Sequence, residues 1–191
     1  GLRAAIESRG LGDVYKRQLL EVARALDAAA LPADFGVDIV FFDGEEGPRG
    51  TTAYYLGSKN LAPRWHRLTG QSPPSAGVVV DMVGRRGQQI RREKRSERHA
   101  PSVNDELFAI ARRLDARSFL SEPGRGVADD HVPFHRQRIP VALLIDLDDP
   151  HWHTTGDVLE NLDGGAMAEV GRVLLAWVRL RADAENAGGS G

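Results

Sequence analysis

Three apolar runs in this chain each lead directly into carboxylates, and that arrangement limits its possible folds more than any other feature. They are Val37 to Glu46 (VDIVFFDGEE), Ala76 to Val83 (AGVVVDMV) and Pro140 to Ile145, which continues into DLDD. Apolar runs of this length, bounded by glycine and polar residues, are expected as buried strands. Helical patterns lie between them, which predicts an α/β sheet. Open α/β sheets place ligands at the carboxyl edge of their strands. Glu45, Glu46 and Asp81 are therefore expected along one edge. On an extended segment neighbouring side chains face opposite ways, so Glu45 and Glu46 can take different roles, one on a metal and one on a reacting water. Asp81 is costly to bury unpaired and is either the cap of a neighbouring loop or a ligand delivered to that edge.

The segments between the runs follow from periodicity. Leu19 to Leu31 has amphipathic helical spacing and is closed by Pro32 and Gly36. Thr51 or Thr52 can cap a helix through Ala62, with Tyr54, Tyr55, Leu56 and Leu61 as its buried face. Trp65 to Ser75 reads as a surface connection. Gly84 to Arg98 carries seven basic residues against two acidic ones and reads as a solvated hairpin, placed to rim the site after Asp81. Ser102 or Asn104 opens a helix through Asp115, and a short strand is expected at Arg117 to Leu120. Asp146 to Asp157 is a polar loop carrying His151 and His153. Gly164 to Arg181 is a closing helix, and residues 183–191 are a tail expected to fray. Residues 1–18 include GLGDVYKRQ, which resembles translated adapter sequence, and are set aside as non-native, leaving 19–182 as the domain.

Composition narrows the chemistry. A chain of 191 residues is sized for one domain, one that buries roughly 70% of its unfolded surface. A net charge of −2 gives no reason to expect a nucleic-acid or membrane partner, and no apolar segment approaches the roughly 20 residues that span a bilayer. With no cysteine, any metal must be held by His, Asp and Glu. Imidazole beside carboxylate is then the natural zinc donor set. His131, at the start of a short helix, reads as a hydrogen-bonded supporting group. His66, His99 and His135 carry no functional signal.

The ordered blocks FFDGEE, YYLGSKNLA, VVVDMVG, DDHVPFHRQRIPVALLID and PHWHTTGDVLENLD resemble the zinc exopeptidase family that contains bacterial aminopeptidases and glutaminyl-peptide cyclotransferases. The resemblance implies a three-layer α/β fold, a mostly parallel mixed sheet flanked by helices with the metal centre at the carboxyl ends of its strands. It implies Glu45 as general base, Glu46 and His153 on one zinc, and Asp81 on a second. Asp129, Asp130 and His131 would line or support the site, Trp152 would shape the pocket wall, and Thr154 and Asp157 would orient the His153 loop. The substrate implied is a peptide with a free N-terminus.

The first reading is an aminopeptidase-type metallopeptidase hydrolysing peptide bonds, with two zinc ions; the alternative is cyclisation of N-terminal Gln with one, and a non-catalytic interaction domain of the same fold is a third reading. The family's His-x-Asp motif and bridging Asp are not found before Leu19. The chain is accordingly expected to be an N-terminally shortened member, with its first strands absent and its own activity impaired. Family likeness points to the periplasm or to secretion.

Overall fold

The computed structural model describes residues 12–27, 31–32, 34–45, 47, 54–152 and 154–188; side chains are described for those of them outside 12–17 and 27. Two strands form its centre. β1 (Gly77–Asp81) and β4 (Val141–Ile145) pair in parallel from Gly77 opposite Val141 to Asp81 opposite Ile145. Strand alternation sends their side chains to opposite faces. Val78, Val80, Ala142 and Leu144 join one apolar cluster, and Val79 and Val141 join another.

The first cluster is covered by α1 (Gly12–Asp27), α5 (Pro101–Arg113) and α7 (Gly164–Gly188). Val22 and Leu26 of α1, Val103, Leu107, Ile110 and Ala111 of α5, and Val170, Val173, Leu174 and Trp177 of α7 are its buried faces. The Trp177 indole N–H, which burial would strand, donates to Glu106 Oε2 at 2.7 Å. The second cluster is covered by α2 (Leu56–Leu61), the 3₁₀ turn Ala62–Arg64, α3 (Trp65–Thr69) and α6 (His131–Arg136), with Trp65 and Phe134 packed edge to face. Helices on both faces of parallel strands make the expected three-layer arrangement.

A second parallel pair, β2 (Ile90–Arg92) with β3 (Phe119–Pro123), lies beyond β4. The basic stretch after Asp81 is therefore not a hairpin. Ile90 is wholly buried, and the stretch continues into α4 (Lys94–His99), capped by the Glu93 carboxylate. Ion pairs to acids elsewhere let Arg85, Arg91 and Arg92 pack against the body of the fold.

Other expectations need correction. Val37 to Glu45 is in no strand ladder, and its side chains are half-buried or exposed. An apolar run becomes a strand only when a neighbour takes its N–H and C=O groups, and here the segment and β1 line one cavity. Tyr54 and Leu56 are exposed, whereas Trp65, expected on a surface connection, is 5% exposed in the core. Thr51 and Thr52 lie outside the described residues. α1 starts at Gly12, seven residues before the predicted start, and α7 continues past Arg181 through most of the expected tail.

Gly84 has φ of 101°, and a Cβ there would meet Met167 Cγ at 2.6 Å. Gly84→Ala should cost about 1–3 kcal/mol, read as a lower urea midpoint with unchanged slope.

His135 gives a pH test. Burial first, then the neighbouring His131 and His99 rings, pull its pKa down to about 4, although its Nε2 sits 2.7 Å from the Val141 carbonyl oxygen. The folded chain thus holds neutral His135, while an unfolded chain would protonate it near pH 6.5. Its contribution is complete above about pH 6.5 and is lost as pH falls towards 4. The stability difference between the unsubstituted chain and His135→Gln should shrink across that window in paired urea titrations.

Candidate active site

Each carboxylate predicted at the sheet edge that lies among the described residues is positioned by backbone. The segment ending in Glu45 is pinned to the start of α2, with Tyr55 N donating to Glu45 O at 3.0 Å, Leu56 N to Gly44 O at 2.9 Å and Gly57 N to Asp43 O at 3.1 Å. Gly57 allows that approach, because a Cβ there would lie 2.9 Å from the Asp43 carbonyl oxygen. Asp81 is the last residue of β1, after which Met82 (φ 49°) and Gly84 turn the chain away. Asp129 and Asp130 precede α6, with Asp130 N donating to Asp129 Oδ1 at 2.5 Å and Val132 N to Asp129 O at 2.9 Å. The Tyr55 hydroxyl donates to the Ala128 carbonyl and joins this loop to the Glu45 segment.

Glu45, Asp81, Asp129, Asp130 and Asp157 all line one cavity of about 1260 Å³. Val22, Leu26, Val78, Val80 and Trp177 are among its apolar lining, and Arg181 also lines it. The acids within it act on one another. Asp129 is pushed up to about 8 by burial and then by the charge of Asp81, with Asp130 and Glu45 adding to it and the Asp130 N–H opposing. Asp130 rises to about 6, again first by burial and then by Asp81 and Asp43, against a hydrogen bond from Ser58. Among the described residues, the charged groups with the largest effect on these two are acids. Asp130 Oδ1 is buried and has no hydrogen-bond partner. Buried carboxylates with no counter-charge are costly unless a cation joins them, and that donor set fits a hard or borderline divalent metal.

Two of the expected ligands, Glu46 and His153, lie outside the described residues. Among the described residues no group of three His, Asp or Glu is placed to hold a metal ion. The loop around residue 153 is ordered by its own polar atoms. The Thr154 hydroxyl donates to His151 O at 2.8 Å and accepts from Gly156 N at 3.1 Å, while Asn161 Nδ2 donates to Gly156 O at 2.6 Å. Trp152, expected on a pocket wall, is 51% exposed. His131 is fully buried beneath the acidic loop, its Nε2 3.5 Å from Glu93 Oε2. Asp43 and Tyr55 were not singled out by the sequence. Asp43 looked like part of a turn and Tyr55 like a helix face, and no local pattern separates these from their roles here.

Asp129→Asn keeps the acceptor for Asp130 N and removes a group whose ionisation the fold opposes. Metal-stripped protein carrying it should melt roughly 2–4 °C higher at neutral pH, corresponding to about 1 kcal/mol. An unchanged or lower Tm would show that the cluster is compensated.

Comparison with known proteins identifies the family. The model of peptidase family M28 matches residues 17–178. The glutaminyl-peptide cyclotransferase of Boiga irregularis is 30% identical across 84% of this chain and 52% of its own length. That of Drosophila melanogaster is 28% identical across 76% and 48%. The chain spans about half the length of the curated relatives it matches. The crystal structure of Fimbriiglobus ruber glutaminyl cyclase superposes with a TM-score of 0.74 at 30% identity, covering 85% of this chain and 58% of that one. A leucine aminopeptidase precursor from Bacteroides thetaiotaomicron gives 0.75 at 27% identity, covering 84% and 58%. On the extent of the family match and the fold shared with these enzymes, the chain belongs to peptidase family M28.

Proposed function

We propose that this chain carries the catalytic centre of a zinc-dependent enzyme acting on the N-terminal residue of a peptide, with cyclisation of N-terminal glutamine the favoured reaction. The observation that carries the choice is the run of cyclotransferase relatives, four of them at 30% identity over 84% of the chain. Hydrolysis by an aminopeptidase is the second reading, favoured by the aminopeptidase and exopeptidase structures with TM-scores of 0.75 and 0.74.

Glu46, His153 and Asp81 would hold zinc, one ion for the cyclase and two for the peptidase. When bound, zinc polarises the reacting carbonyl and brings positive charge to the acidic cluster. In cyclisation a bond forms from the α-nitrogen to the side-chain amide carbon, the bond to the amide nitrogen breaks, and ammonia leaves. Glu45 takes the proton shed by the α-nitrogen and returns it to the departing one, so no water is consumed. In hydrolysis Glu45 takes its proton from water and gives it to the leaving amine. Asp129 and Asp130 hold the substrate's N-terminal nitrogen, and Trp152 covers its side chain. The substrate is a peptide with a free N-terminus, met in the periplasm or outside the cell.

The test is zinc content, cyclisation of a Gln-peptide and hydrolysis of aminoacyl-nitroanilides, on this chain and on a polypeptide spanning the relatives' full length. Cyclisation without hydrolysis is expected, and hydrolysis alone would promote the second reading. Glu45→Gln should lower turnover about 10²–10⁴-fold with zinc retained. His153→Ala should weaken zinc binding at least about tenfold, and unchanged metal content would move that ligand, with His151 the first alternative.

A further inference from the structure

The mechanism leaves two buried carboxylates unused, Asp146, which is paired with Arg85, and Glu93. Glu93 is 1% exposed and lies between α4, β4 and the loop that carries Asp129 and Asp130. Its Oε1 accepts from Arg95 N at 2.9 Å and from Val127 N at 3.1 Å. Its Oε2 accepts from Ser96 N at 2.6 Å and the Ser96 hydroxyl at 2.8 Å, and faces His131 Nε2 at 3.5 Å. Ser96 Oγ in turn accepts from Leu143 N at 2.9 Å, which fastens the cluster to the edge of β4 away from β1.

A helix cap needs only the Arg95 and Ser96 contacts. The bond from Val127 and the approach of His131 do something else, because they flank Asp129 and Asp130 on either side. Two further bonds run along the same seam, Gly124 N to Arg92 O at 2.8 Å and Lys94 N to Arg125 O at 3.3 Å. Burial by itself would raise the Glu93 pKa, but the close His131 ring and the hydrogen bonds from Arg95 and Ser96 bring it down to about 2. The carboxylate is therefore ionised and held from several directions.

We propose that Glu93 is the positioning residue of the acidic pair, its buried carboxylate fixing loop 124–130 and the start of α6 so that Asp129 and Asp130 face Glu45 and Asp81. The functional part of this inference rests on the reading of the site given above. Glu93 itself touches neither substrate nor the reacting atoms. It acts by denying the loop alternative conformations that would turn the two carboxyl groups away from the cavity.

Amide hydrogen exchange on the full chain tests it, comparing Glu93→Ala, Glu93→Gln and, as a core control of comparable destabilisation, Ile110→Val. In Glu93→Ala, amides 127–131 should exchange at least about tenfold faster than the global loss of stability explains, the equivalent of one lost charge-assisted hydrogen bond. Glu93→Gln, whose amide oxygen can replace Oε1, should restore part of that protection, and Ile110→Val should leave the loop in step with the rest. Uniform acceleration in Glu93→Ala, an unchanged loop, or no recovery with Gln would overturn the assignment. Zinc uptake by the unsubstituted chain, followed by competition with a chelating dye, tests the site reading separately. Absence of uptake removes that reading and leaves exchange to decide Glu93, whereas uptake with uniform exchange removes the role of Glu93 alone.

Discussion

The in-register parallel pairing of β1 with β4 is the constraint on which the rest of the molecule depends. It ends with Asp81 opposite Ile145, so Asp81 and the start of the Asp146 loop leave the sheet side by side. Parallel strands require crossover connections, and the crossover between these two carries α4, α5, β2, β3 and α6. The acidic loop before α6 is returned by that route to the edge where Asp81 emerges. Sites at this edge are a consequence of topology, since strand ends are where side chains can converge without disturbing a ladder.

Charge is handled in two opposite ways around this edge. On one side it is neutralised. Arg85 reaches Asp146, which is fully buried, at 2.7 Å and Asp149 at 3.6 Å, Arg91 reaches Asp148 at 3.2 Å, and Arg92 joins Glu97 at 2.7 Å and Asp105 at 2.5 Å. Breaking a buried pair such as Arg85 with Asp146 leaves an uncompensated charge, so Arg85 holds the beginning of the 146–157 loop more firmly than an exposed pair would. On the other side acids are gathered together. Burial and the charge of Asp81 raise the pKa of both Asp129 and Asp130, a cost that packing elsewhere must offset. Raised carboxyl groups in a cavity are characteristic of a site built for a cation or for moving protons.

Much of this could be read from the residues. β1, β4, α5 and α7 carry strong, uninterrupted patterns, and their apolar faces in the structure are close to those the spacing indicates. Asp81 stood out as an acid at the end of an apolar run, and the family resemblance pointed to Asp129 and Asp130. The basic stretch misled because local charge says nothing about distant partners. The acids that absorb Arg85 and Arg91 lie more than fifty residues away in sequence. Val37 to Phe42 misled for a related reason. Its composition suits a strand, but a strand exists only through hydrogen bonds to a neighbour, and the neighbouring space is a cavity.

The amino-acid sequence by itself determined the alternation of apolar strands and amphipathic helices, the absence of thiolate chemistry, and the placing of acids at strand ends, because periodicity and residue type act locally. Only the tertiary structure decided that Glu93 is a buried hub, that Tyr55 ties the Glu45 segment to the acidic loop, and that Glu45, Asp81, Asp129, Asp130 and Asp157 line one cavity. These are properties of groups far apart in the chain, and their energies depend on burial and distance, which no local pattern records.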